Sequence, residues 1–251
     1  MRAIRKTDLT GGAAGSVATE GSEFRVFALG DSAVLAEFGT RLDLEVNARL
    51  QQLAQALRAK DVPWIGDIVP ALGSLALHID HARAPAALDP VAAAARLLED
   101  CLRGLRARRA RASLLEVPVC YDAEFAPDLQ EVAALVKLSA AEVVRRHAAP
   151  EHRVLMMGSA PGQPYIGGLD ARLAVPRRAT PRTRVPAGSI AIANAQTAVY
   201  PFEISGGWNV IGRTPLRVFD VMREPAALFA PGMLVRFVAI TRAEFEQRRA
   251  Q

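Results

Sequence analysis

The apolar and polar positions near the start of the chain predict a strand pair followed by a helix. Residues 24–29 and 32–38 are short, mostly apolar runs, and Gly30 between them tolerates the positive φ of a tight turn. Apolar residues then recur roughly every 3.5 positions over residues 42–60. This spacing indicates an amphipathic helix behind a β-hairpin.

A second strand pair and a second helix follow. Residues 64–70 and 74–79 are strand-like, and Asp89 is placed to cap a helix that we expect to extend to about Ala110. Two strand pairs, each followed by a helix, pack naturally as one sheet with helices on one face. We therefore predict a small α/β domain spanning residues 23–112.

The rest of the chain, residues 113–251, is predicted to be mainly β-structure. It begins with a strand-like run at residues 114–120, and short helices are expected at residues 127–136 and after Ser139, which opens a capping box. Beyond residue 153, glycine and proline interrupt every run and exclude long helices. The predicted strands are residues 153–157, 172–175, 189–193, 196–202, 209–212, 216–219 and 234–240. Seven short strands with regular turn signals indicate a closed barrel or a sandwich.

The composition is ordinary for a soluble globular protein and narrows the choice of partners. Of 251 residues, 51% are hydrophobic, and the formal net charge is +5. Acidic residues are interleaved with the arginines, and no aromatic and basic block resembles a nucleic-acid platform, so we expect no nucleic-acid partner. No apolar run is as long as a membrane span, so we expect no membrane association. Residues 1–22 are polar and lack the apolar region of a signal peptide, which predicts a disordered tail and a cytoplasmic protein.

Several common catalytic motifs are absent from the sequence. It contains no phosphate-binding loop, no dinucleotide-binding glycine pattern, no zinc-protease helix motif and no nucleophile elbow. His78 and Asp80 share one side of a predicted strand, but two ligands are too few for a metal site, so no metal is predicted. Spacing alone therefore does not identify a complete active site.

A segment stiffened by proline displays arginine residues. Pro176, Pro181 and Pro186 stand five residues apart, and each favours extended backbone in the residue before it. Arg177 and Arg182 each follow one of these prolines, so the segment would display planar guanidinium groups, which suit carboxylate or phosphate. The alternative is that these arginines are solvated or pair with local acids.

Polar and aromatic residues follow a tight turn. Asn194 tolerates the left-handed backbone conformation, and the returning strand carries Gln196, Thr197 and Tyr200, with Trp208 close by in sequence. An amide, a hydroxyl and two amphipathic rings on one concave surface would hold a small polar ring. The alternative is a barrel interior whose polar groups satisfy one another.

Six motifs in this half occur in the order found in one protein family. They are G-S-A-P-G-Q-P-Y-I-G-G-L from Gly158, P-R-R from Pro176, V-P-A-G-S from Val185, Q-T-A-V-Y-P from Gln196, G-G-W from Gly206 and G-R-T-P from Gly212. Residues 24–240 resemble the family of the 5-oxoprolinase B subunit and allophanate hydrolase subunit 1, also called KipI-like or carboxyltransferase subdomain C/D proteins. Ser159 and Gln163 stand where that family usually has phenylalanine, which makes this loop more polar.

The resemblance implies a fold and a function. The implied fold is α+β, with a small α/β N-terminal domain followed by a cyclophilin-like β-barrel. The resemblance implies that this chain is one subunit of a complex. Its partners would be a companion of the carboxyltransferase subdomain A/B type and a lactamase-like subunit. Together these open 5-oxoproline to glutamate at the expense of ATP. We expect this chain to be inactive alone, with ATP bound either by it or by the complex.

The resemblance also implies roles for individual residues. A lactam is a poor electrophile, so phosphorylating its oxygen would create a leaving group, and cations would stabilise the developing charge. The expected contacts to this small anionic lactam are Tyr165, Arg178, Arg182, Gln196, Thr197, Tyr200, Trp208 and Arg213. The arginines would bind phosphate or carboxylate, and the other side chains would hold the ring. His147, in the last turn of a predicted helix, would carry a proton.

Two other functions within this family stay open. One is a KipI-type inhibitor of a sensor histidine kinase, in which the barrel groove binds a proline-containing segment. The other is a part of a urea carboxylase/allophanate hydrolase system. Because the chain has no biotin-attachment lysine motif, it could only be the acceptor part of that system. A cyclophilin-like barrel also suggests a prolyl isomerase, but a fold alone does not determine function.

Overall fold

The computed structural model describes residues 24–39, 42–105 and 113–249. The predicted tail at residues 1–22, the expected helix end near Ala110 and the domain boundary after residue 112 lie outside these ranges. Within them, no helix has both the length and the apolar character that crossing a membrane requires.

A four-stranded antiparallel sheet covered by two helices forms the first half of the described chain. Its elements are β1 Arg25–Ala28, β2 Ala33–Glu37, α1 Leu44–Arg58, β3 Ile65–Pro70, β4 Ser74–Ile79 and α2 Pro90–Gly104. The strands pair in the order β1-β2-β4-β3. Leu53 of α1 and Leu98 of α2 are fully buried in one core with Leu77 of β4. The predicted order of strands and helices is confirmed.

Aspartate side chains define where both helices begin. Asp43 Oδ1 accepts hydrogen bonds from the N–H groups of Glu45 at 2.8 Å and Val46 at 3.1 Å. Asp89 Oδ1 accepts one from the N–H of Ala92 at 3.0 Å, as predicted for the start of α2. These caps satisfy backbone donors that have no partner within the helix.

A closed barrel forms the second half. Its strands are β5 Leu114–Cys120, β6 His152–Met157, β7 Pro164–Gly167, β9 Ser189–Ala193, β10 Gln196–Val199, β12 Asn209–Arg213 and β13 Leu234–Ile240, and β8 Arg182–Val185 with β11 Ile204–Gly206 forms a small sheet outside it. The order around the barrel is β10-β7-β6-β13-β5-β12-β9, and β9 pairs with β10 to close it. The pair β5–β13 is parallel, and the other barrel pairs are antiparallel. The α+β class and the implied barrel are confirmed.

Three helices pack around the barrel. They are α3 Leu129–Val136, α4 Ala140–Ala148 and α5 Arg242–Arg249. The first contacts β12, the second β13 and the third β5. Ser139 caps α4 as predicted, because its Oγ accepts a hydrogen bond from the N–H of Glu142 at 3.1 Å.

Two predicted strands are wrong. Within residues 172–175, a short 3-10 helix at Ala171–Leu173 replaces the strand, because Asp170 Oδ1 accepts a hydrogen bond from the N–H of Arg172 at 2.9 Å. Residues 216–219 contribute a single bridge from Phe219 instead of a strand. Strands β7, β8 and β11 and helix α5 were not predicted.

Alternate residues of the barrel wall face opposite sides. Ile190 and Ile192 of β9 pack in a cluster that receives side chains from all seven barrel strands, which is the barrel interior. Ala191 and Ala193 pack outside, in a second cluster that includes Val185 of the outer sheet. The outer face of β9 and β10 is therefore a layer of small residues beneath β8 and β11.

Two buried amide side chains join α1 to the barrel. Asn47 Nδ2 donates to the carbonyl oxygens of Ala71 at 2.9 Å and Leu155 at 3.1 Å. Gln51 Nε2 donates to the Leu155 carbonyl oxygen at 2.9 Å. The two halves thus share a polar interface, and the proposed domain limits at residues 23–112 and 113–251 stay a prediction.

We expect Asn47→Ala to lower the free energy of unfolding by about 1–3 kcal/mol, because buried carbonyl groups would lose their donor. Urea denaturation followed by circular dichroism measures this change. Gln55→Ala alters an exposed position of the same helix and is the matched control, with an expected change below about 0.5 kcal/mol. Equal stabilities of the two variants would show that Asn47 does not hold the interface.

Candidate functional site

Asp128 is the centre of a buried ion pair with two of the predicted arginines. Its side chain is 1% exposed. Arg182 donates through Nη1 to Oδ2 at 2.6 Å and through Nη2 to Oδ1 at 2.7 Å, and Arg178 Nη1 donates to Oδ1 at 2.5 Å. The N–H of Val210 donates to Oδ2 at 2.7 Å. The carboxylate thus accepts four hydrogen bonds, and its bonds to Arg182 raise the pKa of that guanidinium.

The ion pair connects segments that are far apart in sequence. Asp128 precedes α3, and its N–H donates to the carbonyl oxygen of Val210 at 3.0 Å, so the start of α3 and β12 exchange two hydrogen bonds. Arg182 begins β8, while the N–H of Arg178 donates to the Gly207 carbonyl oxygen at 2.8 Å. The ion pair and this backbone hydrogen bond therefore hold the proline-stiffened segment against the barrel. Pairing with an acid was the alternative considered for these arginines, but the acid is 50 residues or more away.

An aromatic surface, formed by Tyr165, Tyr200 and Trp208, lies on the outside of the barrel. The Trp208 and Tyr165 rings meet edge to face, with centroids 5.6 Å apart. Trp208 and Tyr200 are buried, and Tyr165 is half-buried. The exposed Arg177 places its guanidinium carbon 5.9 Å from the Trp208 ring centroid. Three alanines share the cluster beneath these rings: Ala191, Ala193 and Ala198.

Two glutamines near the barrel wall carry buried amide atoms that form no hydrogen bond with any described residue. These atoms are Gln196 Nε2, a donor, and Gln163 Oε1, an acceptor. Strand alternation places Gln196 on the side of Ala198, which packs in the outer cluster, whereas Gln163 precedes β7 and is 5% exposed. The register of β7 and β10 puts Gln196 opposite Gly167, so the two glutamines lie four residues, roughly 13 Å, apart along the strands. Buried polar atoms without partners are costly, so each is a candidate contact for a polar ligand.

His147 lies inside the barrel and is fully buried. Its Nδ1 is 2.8 Å from the Tyr121 hydroxyl and its Nε2 is 3.1 Å from Thr197 Oγ1. Thr197 Oγ1 donates to the Ala191 carbonyl oxygen at 3.2 Å, so it accepts the proton on Nε2, and the Tyr121 hydroxyl then donates to Nδ1. The ring stacks on Phe237, with centroids 4.4 Å apart. Both ring nitrogens are thus satisfied in the neutral form.

The surroundings of His147 disfavour its charged form. Burial lowers the pKa of His147 well below 6.5, and His152 lowers it further. Burial also raises the pKa of Tyr121, so the hydroxyl stays protonated. A proton carrier needs a path to the reacting atoms, and complete burial counts against that role. The catalytic role of His147 stays a prediction.

Arg213 lies apart from the ion pair. Its Nε donates to the carbonyl oxygen of Ala187 at 2.8 Å, and partial burial lowers its pKa. It stands three residues along β12 from Val210, which is roughly 10 Å in a strand. Its predicted contact with phosphate or carboxylate stays a prediction.

The structure thus places the predicted site residues in separate regions of the barrel. The ion pair holds Arg178 and Arg182, and the outer side of the barrel wall carries Tyr165, Gln196, Tyr200 and Trp208. The expectation that Thr197 shares this surface is wrong, because consecutive strand residues face opposite sides. Sequence reasoning missed Asp128 and Tyr121, whose partners lie 26 or more residues away and leave no periodic signal.

Two cavities that described residues line lie away from the ion pair and from the aromatic surface. One, of about 420 Å³, is bounded by Arg145, Arg146 and Asp170, and the other, of about 230 Å³, by Arg58 and Asp67. Neither is lined by a predicted site residue. No group of three or more histidine, cysteine or acidic side chains within the described ranges is arranged to hold a metal ion.

Comparison with known proteins relates the chain to one family. Residues 24–229 match the family model described as carboxyltransferase domain, subdomain C and D. The chain is 36% identical over 228 residues to the 5-oxoprolinase B subunit of Bacillus subtilis (strain 168), covering 88% of this chain and 95% of the relative. It is 37% identical over 214 residues to the 5-oxoprolinase B subunit of Escherichia coli O157:H7, covering 85% and 95%.

A solved structure supports the fold. The chain is similar to the crystal structure of Kluyveromyces lactis urea carboxylase, with a TM-score of 0.70 and 18% identity. The match covers 89% of this chain and 22% of that chain. At this identity, the likeness shows the fold alone.

We expect Asp128→Asn to lower the free energy of unfolding by about 3 kcal/mol, because it removes the charge that compensates two partly buried arginines. Urea denaturation at moderate salt measures the change. Glu131→Gln is the matched control, since Glu131 also contacts Arg178 but is 62% exposed, and its loss should cost less than about 1 kcal/mol. An Asp128→Asn protein as stable as the control would show that the ion pair does not hold this region.

We expect stability to fall as the pH decreases from about 7.5 to about 5.5, partly because of His147. Its unfolded form takes up a proton near pH 6.5, while the buried ring stays neutral, so the unfolded state gains protons and is favoured. One such group contributes up to about 1.4 kcal/mol per pH unit. Urea denaturation across this range should give a shallower slope for His147→Gln, and the wild-type slope for Gln55→Ala, which removes no titrating group. An unchanged slope in His147→Gln would contradict this assignment.

Proposed function

The chain belongs to the family of carboxyltransferase subdomain C and D proteins, and we propose that it is a subunit of an ATP-dependent 5-oxoprolinase complex that hydrolyses 5-oxoproline to glutamate. The observation that carries this proposal is that relatives named as the B subunit of 5-oxoprolinase align over 95% of their length. The family match at residues 24–229 includes the N-terminal sheet and every barrel strand except β13. The proposed activity belongs to the complex.

In this proposal, the lactam ring packs against the half-buried Tyr165 of the aromatic surface, since Tyr200 and Trp208 are only 3% and 6% exposed. 5-Oxoproline combines an apolar ring edge, a lactam amide and a carboxylate. Gln196 Nε2 would donate to the lactam oxygen. Arg177 would bind the carboxylate, because its exposed guanidinium lies over the Trp208 ring.

Arg178 and Arg182 act in the proposal as positioning residues. Both guanidinium groups bond to Asp128, and their side chains are 25% and 28% exposed. Their contacts hold the segment that carries Arg177 in a fixed place over the barrel. Because the cation beside the ring-binding surface is already in place, less free energy is spent on ordering it when the substrate binds.

ATP enters the proposal as a co-substrate of the complex. The described residues fit a triphosphate poorly, because the clustered cations already form ion pairs: Arg178 and Arg182 with Asp128, and Arg145 and Arg146 with Glu142. The sequence also lacks a phosphate-binding loop. We therefore propose that ATP is bound by the companion of the subdomain A/B type and the lactamase-like subunit.

Reconstitution tests the proposal against the alternatives. We expect ATP-dependent release of glutamate from 5-oxoproline when this chain, the A/B-type companion and the lactamase-like subunit are mixed, and none when any one is left out. Product is measured by chromatography of the amino acid. Inhibition of a sensor histidine kinase, or turnover of a urea-derived substrate with no 5-oxoproline hydrolysis, would replace the proposal with one of those alternatives.

We expect Gln196→Ala to raise the KM for 5-oxoproline about 10-fold in the reconstituted complex, because one hydrogen bond to the ring is lost. The kcat should stay within about 2-fold, since the amide contributes to binding and not to the chemical step. Steady-state kinetics measure both constants. Ser205→Ala, at an exposed position of β11, is the control and should change neither. An unchanged KM in Gln196→Ala would remove Gln196 from the substrate site.

A further inference from the structure

A cavity of about 420 Å³ lies between the end of α4 and the short 3-10 helix. The residues that line it are Arg145, Arg146, Ala149, Pro150 and Asp170. Its volume is within the range of roughly 300–1,000 Å³ that small-molecule sites occupy. We call this space the α4 cavity. It shares no residue with the proposed ring site or with the buried ion pair.

Charged side chains of both signs surround the α4 cavity. Arg145 donates through Nε and Nη2 to the two carboxylate oxygens of Glu142, each at 2.7 Å. Arg146 Nε lies 2.7 Å from Glu142 Oε1, and Arg146 Nη1 donates to Asp170 Oδ2 at 2.7 Å. The side chains of Arg146 and Asp170 are 21% and 27% exposed, so their charges are partly shielded from water. Two guanidinium groups and two carboxylates together carry no net charge.

Both acids of this cluster are ionised at neutral pH. The hydrogen bond from Arg145 is the main reason that the pKa of Glu142 is lowered to about 2. The N–H of Arg172 and the side chain of Arg146 lower the pKa of Asp170. A ligand would therefore meet the same charges in the α4 cavity throughout the physiological pH range.

The α4 cavity still offers groups of both signs to a ligand. Arg145 Nη1 and Arg146 Nη2 donate no hydrogen bond to any described residue, so each guanidinium keeps a terminal donor. Pro150 has no N–H for the Arg146 carbonyl oxygen four residues before it, and carbonyl groups at a helix C-terminus attract cations. Asp170 adds a formal negative charge to the lining. The donors suit anionic groups, and the acceptors suit one cationic group.

We propose that the α4 cavity binds a free α-amino acid with an acidic side chain. The two carboxylates of such a molecule match the two guanidinium groups. Its ammonium group matches Asp170 and the carbonyl groups at the end of α4. This inference goes beyond the proposed function, because the cavity is separate from the ring site and lies within this chain.

The charge balance of the cluster disfavours other small ligands. A triphosphate would add several negative charges where each guanidinium is already ion-paired, and a diamine would place a cation beside both arginines. 5-Oxoproline has a carboxylate, but its nitrogen is an uncharged amide, so it lacks the group that Asp170 would bind. A zwitterion meets both signs at once. Because the ion pairs already hold the side chains in place, its binding loses little conformational entropy.

Isothermal titration calorimetry of the full-length chain with L-glutamate tests this inference. Arg145→Ala should raise the Kd at least about 10-fold, because one carboxylate loses a charged donor. Arg242→Ala is the matched control and should leave the Kd unchanged. Arg242 is 61% exposed, against 63% for Arg145, and also pairs with a glutamate, but it begins α5 and does not line the cavity. Circular dichroism and thermal unfolding confirm that each variant is folded.

A second ligand tests the ammonium contact. Glutarate has both carboxylates of glutamate and no ammonium group, so its Kd for the wild-type chain should be at least about 10-fold higher. Asp170→Asn keeps an oxygen for the N–H of Arg172 and removes the charge. This variant should weaken the binding of glutamate more than the binding of glutarate.

The outcomes decide the inference independently of the proposed function. Absence of saturable binding by glutamate and aspartate would overturn it, and the cluster would then consist of surface ion pairs only. An equal Kd for glutamate and glutarate, or an unchanged Kd in Arg145→Ala, would also overturn it, since the ligand would then bind elsewhere. The titration contains no ATP and no companion subunit. The expected binding, with no 5-oxoproline hydrolysis by the complex, would support the inference and overturn the function.

Discussion

The arrangement of the second half of this protein depends on a single buried carboxylate that needs cations around it. Asp128 is almost completely buried and accepts hydrogen bonds from Arg178, Arg182 and the N–H of Val210. A buried charge is tolerated only when it is paired and hydrogen-bonded. The arginines therefore bring the proline-stiffened segment to the start of α3, and the outer sheet follows because Arg182 is its first residue.

The barrel wall separates two chemical environments that are one residue apart in sequence. Thr197 faces inward and joins His147 and Tyr121 in a network without net charge, where burial keeps the imidazole neutral by lowering its pKa. Gln196 faces outward, where the aromatic surface and the exposed Arg177 offer ring contacts and a cation. The interior network is buried and fully paired, whereas the outer side holds the groups that we propose bind the anionic lactam.

The loop before β7 lies between the proposed ring site and Phe219. Ser159 adopts a φ of +66° and Gly162 a φ of +78°, so the loop makes a tight excursion that brings Gly162 onto Phe219. Gln163, buried at the end of this excursion, supplies a polar atom where an aromatic ring was expected from the family resemblance.

The sequence by itself determined the elements whose hydrogen bonds are local. Both helices of the first half begin next to an aspartate cap, and the strand pairs follow from short apolar runs around turns. Motif order also identified the family, and with it the barrel. Only the tertiary structure decided which side of the wall each residue faces, that Arg178 and Arg182 meet Asp128, and that β8 pairs with β11. These contacts join residues tens of positions apart, and packing selects them, so no local pattern in the chain encodes them.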